Sequence, residues 1–224
     1  TLYRFLASLP ALRLVEQDRR RSHPCDGLRP SLYPSLITLE LTGVTPSALA
    51  PALPALRPTL QTLHVERAAL CGLDELLLSP PPSSSPSNDI TNGGDEEEGP
   101  KPSQWTSLER LVMSHCDLGD LHPASALAHS CPRLTLLELP HNRLVSIAGL
   151  LRAWEEHGEK KGGGAASERG KKGGSSVSNF LPKLTLLDLR HNAIQSVACL
   201  SSSSFSAHPF LGHLQELRLG HNQL

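Results

Sequence analysis

Residues 134–144 read LTLLELPHNRL, residues 184–194 read LTLLDLRHNAI and residues 214–224 read LQELRLGHNQL. One frame, LxxLxLxxNxL with Ile allowed at its end, covers all three. Leu134, Leu137, Leu139, Asn142 and Leu144 fill it first. Leu184, Leu187, Leu189, Asn192 and Ile194 fill it next, then Leu214, Leu217, Leu219, Asn222 and Leu224. The first two copies continue with apolar residues at steps of three: Ile147 and Leu150, then Val197 and Leu200.

The frame extends upstream in weaker form. Leu108, Leu111, Met113, Cys116 and Leu118 place a cysteine in the Asn slot, and Leu121 continues that copy. Leu60, Leu63, Val65, Ala68 and Leu70 have alanine there, and Leu36, Leu39 and Leu41 lead to Val44. A further copy around Leu9, Leu12 and Val15 is too degenerate to count. Copies therefore start near 36, 60, 108, 134, 184 and 214, at gaps of 24, 48, 26, 50 and 30 residues.

Each of the two longest gaps holds a low-complexity stretch, and discounting about 24 residues from each restores a constant period. Residues 79–103 are rich in Pro and Ser with an acidic run from Asp95 to Glu98, and residues 155–178 are Gly-rich and mostly basic after Glu159. Neither carries enough apolar side chains to offset the entropy of ordering it, so both read as loops inserted between frames. A shorter one begins at Ser201.

A period near 24 with this pattern has a physical solution. LxL is a short strand whose alternate leucines point inward, and such strands stack in parallel about 4.8 Å apart. The remaining leucines fill the inside of each coil, and an Asn in the turn bonds backbone groups that the bend leaves unpaired. The predicted fold is an α/β repeat solenoid of the leucine-rich repeat kind. It has a curved parallel sheet on its concave face and short helices, 3-10 turns or loops on its convex face. Residues 1–31 read as a degenerate flank or partial repeat and residues 32–224 as the repeat domain. That domain is expected to be truncated, because Leu224 falls inside a frame.

Composition narrows the function. The net charge of −1 supplies no basic field for nucleic acid. No apolar run approaches the ~18 residues needed to cross a bilayer, so no membrane span is expected. Five widely spread cysteines without a CxxC pair point to reduced thiols and a cytoplasmic setting, not to disulfides or zinc. Cys116 reads as a small buried residue of the turn.

The sequence carries no catalytic constellation. No strand is followed by a Gly-rich phosphate loop, and there is no GxSxG elbow. No catalytic, cofactor-binding or metal residues are expected, and the chain is not expected to be an enzyme. What remains is a surface. His115, His141, His191 and His221 share one frame position and stack into a column. Such a column offers a partner contact and a pH response, against the plain reading that this position ends the strand in solvent. Between the inward leucines stand Glu138, Asp188 and Arg218 in mid-strand, with Arg190 beside the column. The expected partner-binding set on the concave face is thus His115, Glu138, His141, Asp188, Arg190, His191, Arg218 and His221. The structural slot is Cys116, Asn142, Asn192 and Asn222.

The irregular half has a more particular likeness. SLITLELTGV (35–44), ALRPTLQTLHVERAALCGLDELL (55–77), QWTSLERLVMSHCDL (104–118) and CPRLTLLELPHNRL (131–144) follow one another with an insert after the second. This order resembles the serine/threonine-protein kinase 11-interacting protein family and its plant and algal outer-arm dynein light chain-like homologues. Trp105 and the passage from irregular to regular repeats carry most of that resemblance. The segment Gly119–Ala128 (GDLHPASALA) and the second insert depart from it. The resemblance implies a scaffold that binds a serine/threonine kinase, with further domains beyond this chain, and it carries over no contact residue. The expected function is a non-enzymatic protein-binding scaffold or adaptor. The alternatives are a cytoskeletal or axonemal binding module, or the sensor domain of a larger enzyme such as a kinase.

Overall fold

In each LxL an extended backbone sends both leucines to one face and the residue between them to the other. The structure, a computed structural model, describes residues 2–16, 30–44, 53–68, 70, 72–77, 104–119, 121, 127, 130–148, 181, 183–198 and 213–224. Its strands are β1 (Ala11–Val15), β2 (Thr38–Thr42), β3 (Thr62–Glu66), β4 (Arg110–Ser114), β5 (Leu136–Glu138), β6 (Leu186–Asp188) and β7 (Glu216–Arg218). They form one all-parallel sheet in chain order. Helical structure is sparse: α1 (Leu2–Ala7), a 3-10 turn (Pro30–Leu32), α2 (Leu53–Leu56) and α3 (Leu73–Leu77).

The register aligns the frame copies. Leu39, Leu63, Leu111, Leu137, Leu187 and Leu217 stand opposite one another along the sheet. β1 joins the same rows, with Leu12 opposite Leu39 and Leu14 opposite Leu41. The first copy is therefore Leu9, Leu12 and Leu14. Val15, the residue taken from the sequence, lies one position further on, points to the other face and is 49% exposed. A one-residue offset reverses every side chain of a strand, which is why Leu14 and not Val15 fills the inward slot. The sheet thus begins within residues 1–31.

The inward rows make one core. Leu36, Leu60, Leu108, Leu134 and Leu184 open their copies fully buried, and Leu70, Leu118, Leu144 and Ile194 close theirs in the same state. Each such side chain contributes ~1.5–3 kcal/mol by leaving water. Leu214, Leu217 and Leu219 beneath β7 are only partly buried. Trp105 is completely enclosed, its backbone N–H donating to the Ser130 carbonyl at 2.6 Å. The buried Arg57 guanidinium lies 5.7 Å from the centre of the Trp105 ring and donates to the Leu77 carbonyl at 3.1 Å.

Residues 79–103 and 155–178, read as inserts, lie outside the described residues. β3 nevertheless pairs with β4 across the first, and β5 with β6 across the second, without loss of register. No helix among the described residues is long and apolar enough to cross a membrane.

Candidate functional site

After each strand from β2 to β7 the chain turns through a left-handed residue. Gly43 (φ 74°), Arg67 (55°), His115 (55°), His141 (56°), His191 (56°) and His221 (60°) occupy that corner, the same frame position in six copies. Glycine adopts this conformation freely, and His is among the few other residues enriched there. The corner N–H donates to the next copy: Gly43 to the Glu66 carbonyl at 2.8 Å, Arg67 to Ser114 at 3.0 Å, His141 to Arg190 at 3.1 Å and His191 to Gly220 at 3.0 Å.

The following residue fills the buried slot. Asn142 donates from Nδ2 to the carbonyls of Met113 (2.8 Å) and Leu139 (3.1 Å), and its Oδ1 accepts from the N–H groups of Cys116 (2.9 Å) and Leu118 (3.3 Å). Asn192 repeats this one copy on. It donates to Leu139 (2.9 Å) and Leu189 (3.0 Å) and accepts from Leu144 N–H at 3.1 Å. Asn222 donates to Leu189 (3.0 Å) and Leu219 (2.7 Å) and accepts from Ile194 N–H at 3.1 Å. Each amide thus ties its own turn to the preceding one. Cys116 does so more weakly, its single S–H lying within reach of the Val65 carbonyl of the preceding turn (3.5 Å) and the Ser114 carbonyl of its own (3.3 Å). Burial pushes that thiol up to about 11, so it stays protonated and unreactive.

Because four corners share one backbone conformation, their side chains leave in parallel. The rings of His115 and His141 stack with centres 4.5 Å apart, and those of His141 and His191, and of His191 and His221, at 4.2 Å. Interplanar angles are 8°, 9° and 7°. All four are exposed. His191 is held below the ordinary imidazole range by partial desolvation and by the neighbouring His141, His221 and Arg190, against the pull of Asp188. Among the described residues no group of three or more His, Cys, Asp or Glu side chains is arranged to hold a metal ion.

Beside the column lies the open face of the sheet. The register sets Arg13, Glu40, His64, Val112, Glu138, Asp188 and Arg218 in one mid-strand row. Ion pairs immobilise its C-terminal end. Arg110 meets Glu138 at 2.7 Å. Arg190 clasps Asp188 through Nε and Nη2 at 3.0 and 2.7 Å, and the Asp188 carboxylate also accepts the Arg190 backbone N–H at 3.0 Å. Arg218 reaches Asp188 at 3.5 Å and Glu216 at 2.6 Å. Burial opposes ionisation of Asp188, but the bonds and charge of Arg190 and the bond from Arg218 outweigh it and keep the carboxyl below its usual range.

The expected surface residues do come together, with one correction. Asp188, read from the sequence as part of the exposed row, has no exposed surface, because Arg190 and Arg218 close over it. It orients two guanidiniums and cannot itself touch a partner. Sequence reasoning missed Arg110, whose pairing with Glu138 follows once β4 and β5 are set in register. It also missed the Arg57–Trp105 pair, which joins segments distant in the chain. No family model matches this sequence, and no curated protein matches it significantly.

Proposed function

We propose that the chain is a leucine-rich repeat solenoid serving as a non-enzymatic, cytoplasmic scaffold or adaptor, with the open face of the sheet as its concave binding surface. The observation that carries this reading is the mid-strand row. One side chain per strand stands on rigid backbone, and Arg110 and Arg190 flank that row, where together with Arg218 they are paired with Glu138 and Asp188. Charged groups already fixed in place lose little entropy on binding and give an interface its register and choice of partner. The resemblance of residues 32–224 to kinase-interacting scaffolds points to a serine/threonine kinase as the partner.

Affinity purification from cells tests this with two charge-reversed forms of the full-length protein. Arg110→Glu with Arg218→Glu alters the face, and Arg143→Glu alters the exposed turn beside it. The expected result is loss of the partner with the face variant and retention with the turn variant. Equal recovery with both would overturn the face as the binding surface. Recovery of dynein or other cytoskeletal subunits in place of a kinase would favour the axonemal alternative.

A further inference from the structure

The imidazole column joins four successive turns through side chains alone. Ring centres 4.2–4.5 Å apart and nearly parallel give extended face-to-face contact between neutral imidazoles. The same spacing would set two positive charges little more than 4 Å apart, where their Coulomb repulsion is strong. Stacked neutral rings attract, and stacked protonated rings repel.

The groups around the column do not remove that repulsion. Arg190 precedes His191 and adds positive charge, while Asp188, the carboxylate nearest in sequence to His191, is already engaged by Arg190 and Arg218. On the turns themselves Asp117 is paired with Arg143 at 3.2 Å and Glu66 with Arg67 at 3.5 Å. Pro140 and Gly220, the residues before His141 and His221, bring no charge. Each carboxylate named here is matched by a cation, so an added proton on the column meets chiefly other imidazoles.

We propose that His115, His141, His191 and His221 form a proton-sensitive clasp: neutral, they hold the last four turns in stack, and on mild acidification they part and loosen that end of the sheet. The sign follows from linkage. His191, which is harder to protonate in the folded chain than in the unfolded chain, costs nothing above the ordinary imidazole value of 6.5. The penalty grows as pH falls through that value and is complete below the folded-state pKa. Interacting sites of this kind also take up protons over a wider range than independent ones. The clasp stands on ring geometry and does not depend on what the open face binds.

Two measurements on the whole chain test it. In the first, ring resonances are followed by NMR from pH 8 to pH 5 in the wild type and in His141→Asn, a change that keeps a residue tolerant of the left-handed corner. The expected result is a broadened titration across the column, and a His191 midpoint that moves up when its neighbour is removed. Sharp single-site titrations, or an unmoved His191 midpoint, would overturn the proposal. In the second, melting temperature is compared at pH 7.5 and pH 5.5 in the wild type and in the double variant His141→Asn, His191→Asn. The clasp requires a markedly larger acid-induced drop in the wild type. Equal drops would refute it, even if the double variant melts lower at both pH values.

Discussion

The two halves of the sheet tie neighbouring turns together by different means. From β1 to β4 each strand is five residues long and pairs with its neighbour over all five positions. From β5 to β7 the strands are three residues long and the register covers three. The slot after the corner changes with them. Val44, Ala68 and Cys116 fill it in the first half, and Asn142, Asn192 and Asn222 in the second. Where the backbone ladder is long, an apolar side chain suffices. Where it is short, a buried amide takes over the cross-turn bonds, and the imidazole stack runs from the Cys116 turn across these three. A repeat of nearly constant length therefore conceals an exchange of backbone bonds for side-chain bonds.

If the amide truly replaces the shortened ladder, removing it is the largest disturbance. Asn142→Leu leaves the Cys116 and Leu118 N–H groups and the Met113 carbonyl without their partner in a buried turn. The expected loss is about 3 kcal/mol, the upper end for an unsatisfied buried group. Asn192→Leu should fall in the same range, and denaturant unfolding measures both. A loss below about 0.5 kcal/mol would mean that the short strands hold without the amide.

The next effect belongs to the buried charge of the second half. Asp188→Asn removes the anion that two arginines enclose and should cost about 1–3 kcal/mol near neutral pH. Because its carboxyl is held below the ordinary value of 3.8, its stabilisation is fully present above that value and is lost as pH falls toward the folded-state pKa. The variant should thus lose less stability than the wild type between pH 5 and pH 2. Parallel acid unfolding curves would place the responsible carboxylates elsewhere.

Cys116 sits at the boundary and sharpens the comparison further. Its thiol already bonds the Val65 carbonyl, as the Asn142 amide bonds Met113. Cys116→Asn should therefore change stability by less than about 1 kcal/mol, while Cys116→Ala, which breaks the bond, should cost roughly 1 kcal/mol. With burial keeping the thiol near 11, an alkylating reagent at pH 8 should modify it only on unfolding. Fast labelling of the folded chain would show that the turn opens there.

How much of this was legible in the sequence depended on whether a requirement is local. Leucine rows are local, since each inward slot must be apolar whatever its neighbours are, and so the register of six copies could be read at 36, 60, 108, 134, 184 and 214. The left-handed corner was legible in principle, because Gly43 stands in the slot that His115, His141, His191 and His221 share. Properties set by several segments at once were hidden. Nothing near Asp188 announces that Arg218, from the next copy, completes its burial. Arg57 and Trp105, 48 positions apart in the chain, meet only once the copies are stacked. The choice between Leu14 and Val15 in β1 needed the partner strand to decide it.

The smallest effect separates position from environment. Glu40 and Asp188 occupy the same mid-strand row, and each meets an arginine. Arg13 and Glu40, however, approach only to 3.6 Å and remain 64% and 42% exposed. Water solvates both, ordering two long side chains costs entropy, and salt screens what attraction is left. Glu40→Ala should therefore shift stability by no more than about 0.5 kcal/mol, and the shift should vanish at high salt. The same measurement on Asp188→Asn should keep most of its effect in salt, because its carboxylate is sealed beneath Arg190 and Arg218. A comparable loss at both sites would mean that the row acts as one electrostatic unit. Unequal losses would confirm that frame position decides where a charge stands, and that cover by residues of other copies decides what it contributes.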